Sequence, residues 1–260
     1  MIVFISAFGA TWAYDNKDIA LELLEMFLQS LRNQTSKDFR LVISVHDRPD
    51  ALTRDDFVMV DSIQVENKKE FTFFPYQLPH SAKDEVVYET LLFQKGIMDC
   101  YRKWVNSTIA AIKWGFREGI RDFWIVRVDA DDFIRKDTVE LIEKAEADGF
   151  NAIYANKCYL FENETGMVAK LDFKMPVSFF GYKIHLNENG IVSPAMYLLC
   201  HDHAKFLTRA KDYDLKFTDL DYCLMRTCSG MNHITDNLSI DGFKGTEMVD
   251  NVILKDFGVN

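Results

Sequence analysis

The chain has 260 residues, 48% hydrophobic and 13% aromatic, which is enough for one sizeable α/β core and unlike the composition of a disordered segment. Its net charge is −10 and no run of Lys and Arg is long enough to line a nucleic-acid groove, which argues against DNA or RNA binding because phosphate contacts dominate such affinity. An acidic chain can still hold an anionic nucleotide when a divalent cation lies between them. Ile2 to Phe8 is short, apolar and β-branched, so it is expected to be a buried first strand rather than a leader or a membrane span. Ile19 to Asn33 carries Ile19, Leu23, Met26, Phe27 and Leu31 at helical spacing. Phe39 to Val45 is the second strand, stopped by His46-Asp47-Arg48-Pro49, and Phe57 to Val65 the third. Residues 66 to 82 are irregular and rich in Phe, Tyr and Pro; a helical stretch follows from about Glu85, its second part Tyr101 to Arg117 leading to Gly119. Phe123 to Val128 is a continuous apolar strand with one Arg, and Asp129-Ala130-Asp131-Asp132 follows it.

In the second half, Asp137-Thr138-Val139-Glu140 reads as a capping box opening a helix that Gly149 ends. Ala152 to Phe161 and Met167 to Phe173 read as a hairpin around Asn163 to Gly166, and Tyr213 to Ser229 as an acidic turn followed by a short helix. Strands alternating with helices predict a mainly parallel sheet flanked by helices in a single domain. Ligands of such sheets bind beyond the carboxyl ends of the strands, which is where Asp47 and Asp129 to Asp132 fall. No stretch reaches 18 apolar residues, so no transmembrane helix is expected. The five cysteines are scattered with no C-x-x-C pair, which suggests reduced thiols and a cytoplasmic location. Four N-x-S/T sequons, at Asn33, Asn106, Asn163 and Asn237, read as chance matches.

The acidic cluster carries the chemistry. Three carboxylates within four residues repel one another beside an apolar strand, and the arrangement costs free energy unless positive charge compensates. Alternation puts Arg127 on the Asp129 side of the strand, but a divalent cation is the fuller answer: all-oxygen ligands suit Mg²⁺ or Mn²⁺, which keep waters and bind phosphate alongside one or two carboxylates. The bland alternative is a solvated turn in which Asp131 or Asp132 caps a helix. Asp137 is the better placed cap.

Three segments, Ser30-Leu31-Arg32-Asn33-Gln34-Thr35 before the second strand, Arg127-Val128-Asp129-Ala130-Asp131-Asp132, and Thr218-Asp219-Leu220-Asp221-Tyr222-Cys223-Leu224-Met225-Arg226, resemble those of GT-A fold glycosyltransferases, more narrowly the family 2 enzymes and their rhamnosyltransferase-like relatives. The resemblance spans about residues 1 to 230. It implies a Rossmann-like sheet with a nucleotide-binding half over about 1–135 and an acceptor-binding half over about 136–260. It also implies inverting transfer of a hexosyl or deoxyhexosyl group from a nucleotide-diphosphate sugar to a carbohydrate or glycolipid acceptor, in surface polysaccharide or glycan synthesis, with peripheral membrane contact allowed. By it, Asp47 reads the nucleotide base, Asp129 contacts the ribose or the metal shell, Asp131 ligates Mn²⁺ or Mg²⁺, Asp132 supports the turn, Asp219 is the general base and His233 is a candidate third metal ligand. Thr218 stands where Glu is frequent, and Phe8-Gly9-Ala10-Thr11-Trp12 replaces the usual end of the first strand.

Weaker candidates have bland readings beside the functional ones. His201 and His203 are expected on the surface, Arg102 and Lys103 on the solvated face of a helix, Trp104 and Trp114 in the core, and Phe71 to Tyr76 either against a sugar or under a loop. Asp219 could merely cap the helix expected after it. Two other functions compete: sugar-phosphate nucleotidyl transfer, which expects a Gly-rich basic loop after the first strand, and a non-catalytic nucleotide- or carbohydrate-binding module.

Overall fold

The computed structural model describes residues 1–9, 16–62, 103–172, 178–188, 213–227 and 247–258. Its larger sheet is built from β1 (Ile2–Ala7), β2 (Phe39–Val45), β3 (Val58–Ser62), β4 (Asp122–Arg127), β6 (Ala152–Tyr154), β9 (Phe180–His185) and β10 (Phe217–Asp219). These run in the order β10-β6-β9-β4-β1-β2-β3. All of them point the same way except β9, which is antiparallel to both neighbours. The central strands are apolar throughout because both faces of the sheet are covered. Ile2 and Phe4 of β1, with Leu41 and Ile43 of β2 and Trp124 and Val126 of β4, pack with α1 (Lys17–Arg32) and α3 (Thr138–Ala147). Val3, Ile5, Val42, Phe123 and Ile125 pack on the other face with α2, the helix over 103–117. Gly181 of β9 lies so close to β4 that a Cβ there would stand 2.5 Å from the Ile125 carbonyl oxygen.

A second sheet joins β5 (Phe133–Ile134), β7 (Lys157–Glu162), β8 (Met167–Asp172), β11 (Leu224–Thr227) and β12 (Glu247–Val249) in the order β12-β8-β7-β11-β5. Its β7–β8 hairpin turns at Gly166, which adopts φ 70°. Two expectations are corrected here. Residues 152–161 are not one strand: Ala155 and Asn156 break it, and β6 joins the large sheet while β7 joins the small one. The helix expected after Asp219 is the strand β11, paired with β5 and β7. Tyr222 takes a left-handed φ of 56° just before it, a conformation costly for a bulky side chain and incompatible with entering a helix there. No helix among the described residues is long and apolar enough to cross a membrane.

The Ser30 to Thr35 segment acquires a structural role. Ser30 Oγ accepts the Ile134 N–H at 3.2 Å, and the buried Gln34 side chain donates to the Arg135 carbonyl at 2.8 Å while its oxygen accepts the Val139 N–H at 3.1 Å. Gln34 thus satisfies a free N–H at the start of α3. Asp137 is the N-cap residue by position only; its carboxylate is turned to Arg135, at 2.5 Å, and caps no backbone N–H. The end of α1 is thereby fixed to β5, immediately after the acidic cluster.

Candidate active site

The acidic turn leaves β4 at the carboxyl edge of the large sheet, closed by the Asp132 N–H donating to the Asp129 carbonyl at 3.2 Å. Its three carboxylates differ in environment. Asp129 is a quarter exposed and lies 4.0 Å from the guanidinium of Arg127, on the side that strand alternation predicts. Arg127 is itself buried, stacked 4.1 Å over the Trp104 ring; cation–π contact of this kind holds a guanidinium where water cannot. Asp131 is partly exposed, and removal from water together with the charge of Asp129 raises its carboxyl to about 6.

Asp132 is fully buried. Its Oδ2 accepts a hydrogen bond from Ser178 and lies 3.6 Å from Arg226 Nε, while Oδ1 has no hydrogen-bond partner among the described residues. Burial, and the negative charges of Asp131 and Asp129, push its carboxyl well up against the pull of Arg226. Asp132 therefore anchors the turn, and Asp129 and Asp131 keep part of their surface exposed. Sequence reasoning missed Arg226 as a counter-charge. Its neighbourhood is made by the antiparallel β11–β5 pairing, in which Met225 opposes Phe133, so that Arg226, just after Met225, comes beside Asp132, just before Phe133. The Arg in the late acidic motif was the available signal. An uncompensated buried carboxylate costs several kcal/mol, so Arg226→Met is expected to lower unfolding stability by about 3 kcal/mol, measured by urea denaturation at pH 7.

Asp219 ends β10, and the register carries a single row across the sheet: Arg127 opposes Phe180, Phe180 opposes Tyr154, and Tyr154 opposes Asp219. Three strand spacings, about 14 Å, separate the two ends of that row. Asp219 and the acidic turn thus lie at the same edge of the sheet, with β9 and β6 between them. The Asp219 Oδ1 accepts the Asn156 N–H at 3.3 Å. Burial and the neighbouring Asp221 raise its carboxyl to about 6, against the pull of Asn156 and Lys157. As no helix follows it, the reading of Asp219 as a helix cap falls.

Asp47 lies beyond the end of β2, two strands from β4. It lines an open depression of about 550 Å³ with Lys17, Leu21, Arg48 and Arg54, to which the acidic turn does not contribute. Asp47 and the acidic cluster therefore share a sheet edge, and among the described residues that depression does not reach the cluster. Lys103, expected on a solvated helix face, is buried, as is Trp104; Trp114 packs edge-on against Phe123 at 6.3 Å. His233, His201, His203, Arg102 and the aromatic stretch Phe71 to Tyr76 lie outside the described residues. Among the described residues no three His, Cys, Asp or Glu side chains come together as a metal cage. The donor set at the turn is two carboxylates, which fits a hard cation that keeps waters or shares phosphate oxygens, and not a cation needing a full protein shell.

No protein-family model matches the chain, and no curated protein matches it. Solved structures do resemble it in shape. One, the crystal structure of a "putative nucleotide-diphospho-sugar transferase" from Desulfovibrio desulfuricans G20, has 10% sequence identity and a TM-score of 0.38, over 87% of this chain and 82% of that one. A likeness of that size carries no functional argument.

Proposed function

We propose that this chain is a metal-dependent glycosyltransferase of GT-A type that moves a sugar, with inversion, from a nucleotide-diphosphate sugar to an acceptor hydroxyl in glycan or surface polysaccharide synthesis. In this reading one domain divides into a donor half over about 1–135 and an acceptor half over about 136–260. The observation that carries it is the pairing, at one sheet edge, of a two-carboxylate cluster with a separate, half-buried carboxylate raised to about 6. Asp129 and Asp131 would hold Mn²⁺ or Mg²⁺, with His233 as candidate third ligand, and Asp47 would meet the nucleotide base. When bound, the cation supplies Lewis acidity at the leaving diphosphate. Asp219 takes the proton of the acceptor hydroxyl; its carboxyl, raised to about 6, is a stronger base than an ordinary aspartate and is still ionised at neutral pH. Asn156 keeps that carboxylate in place through its backbone N–H, and Arg226 with Ser178 keeps Asp132 from straying into the cation's shell.

The test is a panel of nucleotide-sugar donors, scored for transfer and hydrolysis with Mn²⁺ and with chelator. Turnover of one donor that stops in chelator supports the proposal. Full turnover in chelator removes the cation from it, cation-dependent donor binding without turnover points to a binding module, and release of pyrophosphate from a nucleoside triphosphate and a sugar phosphate points to nucleotidyl transfer.

A further inference from the structure

Among the described residues the chain crosses from the large sheet to the small one three times, at the acidic turn between β4 and β5 and at two further crossings that lie side by side. Ala155 and Asn156 lead from β6 to β7, and Leu220 to Cys223 lead from β10 to β11. The two crossings are bound rung by rung. The Leu220 N–H donates to the Tyr154 carbonyl at 2.8 Å, the Tyr222 N–H donates to the Lys157 carbonyl at 2.9 Å, and the Asn156 N–H reaches the Asp219 carboxylate. One side-chain tie closes the ladder: Lys157 Nζ lies 2.8 Å from Asp221 Oδ2. Lys157 follows Asn156 directly and Asp221 is two residues past Asp219, so the ion pair closes a ring of which the Asp219 carboxylate is itself a member.

We propose that Lys157 and Asp221 are positioning residues for Asp219, the pair closing the ring that contains that carboxylate and fixing the charge it faces. This deepens the reading of Asp219 as the base and rests on it. The charged and titratable groups facing Asp219 are Asp221 and Cys223 on its own segment, Tyr154 from β6 and Lys157 at the start of β7, with Asp172 of β8 behind Lys157. Asp221 opposes ionisation of Asp219 and Lys157 favours it. Asp221 acts on Asp219 more strongly than Lys157 does, and removing either one shifts the balance between them. The side chains of Lys157 and Asp221 are 36% and 45% exposed, and an ion pair so placed adds little to stability. Variants of it should therefore fold, and their effect should be read at Asp219.

The experiment follows the Asp219 carboxyl carbon by ¹³C NMR titration, with Asp219→Asn identifying the signal, and records pH–rate profiles alongside. Lys157→Met is expected to move the Asp219 midpoint up by about half a pH unit, and Asp221→Asn to move it down by more than that. Lys157→Arg should restore the parent value, and 1 M salt should shrink both displacements. An Asp219 midpoint unmoved in both Lys157→Met and Asp221→Asn overturns the proposal. Midpoints that move while the acid limb of the rate profile stays fixed uphold the pair and remove Asp219 as the base, so failure of one reading is separable from failure of the other.

Discussion

Alanine at position 131 is expected to lower kcat/KM for sugar transfer by about a thousandfold and to abolish Mn²⁺ binding as read by isothermal calorimetry. Of the two carboxylates the turn leaves open, Asp131 carries the heavier electrostatic load, being withdrawn from water and set against Asp129. The same load keeps the variant folded. The Asp131 carboxyl is raised from 3.8 to about 6 in the folded chain. Its contribution to stability is therefore present in full below about pH 3.8 and is gone once the pH passes about 6. Above that the ionised group weighs against folding. At pH 7.5 in chelator the alanine variant should melt no lower than the parent, and only the parent should gain in melting temperature when Mn²⁺ is added. The cation must also displace a proton from Asp131, so parental Mn²⁺ affinity should weaken as the pH falls through about 6. Full transfer activity in the variant, or Mn²⁺ affinity flat from pH 5 to 8, removes Asp131 from the site.

The features that were legible in the sequence are those governed by local pattern. β1, β2 and β4 announce themselves because strands buried on both faces are apolar throughout, and α1 because its apolar residues recur at helical spacing. The acidic cluster was legible for the same reason: three carboxylates at the end of such a strand have few explanations. What escaped depends on contacts between distant segments. Leu220 to Cys228 reads as a helix until one knows that β11 is sandwiched between β5 and β7, a pairing no window of sequence contains. Residues 152–161 read as one strand because each half is a good strand; the break at Ala155 and Asn156 is a change of sheet, not of propensity. Lys103 reads as solvated because lysine usually is, and its burial at the first turn of α2 has no signature. Arg226 was visible as a motif residue, yet its role required Asp132, 94 positions earlier, to be its neighbour. Gln34 shows the converse. The residue was singled out by resemblance, and its hydrogen bonds to Arg135 and Val139 supply the physical reason, fixing β5 behind the acidic turn.

Asparagine at position 219 separates chemistry from binding. The amide keeps an oxygen to accept the Asn156 N–H and loses only the capacity to take a proton, so kcat is expected to fall by between about a hundredfold and ten-thousandfold while donor and nucleoside diphosphate affinity stay within about twofold. The parent should show an acid limb in its pH–rate profile near pH 6, where Asp219 is half protonated, instead of near the 3.8 of an ordinary aspartate. Stability should move the other way. A carboxyl raised from 3.8 to about 6 on folding stabilises the fold only while protonated; that contribution is complete below about pH 3.8, fades through pH 6, and above it the ionised group opposes folding. The asparagine variant carries no such charge, so its melting temperature should exceed the parent's at pH 8 and approach it at pH 4. A variant that is slower and more heat-stable at pH 8 is the signature of a carboxylate kept for its chemistry against the interest of the fold. Retained turnover would move the base to another residue, and a melting temperature lowered at pH 8 would mean that Asp219 holds the crossing together by its charge.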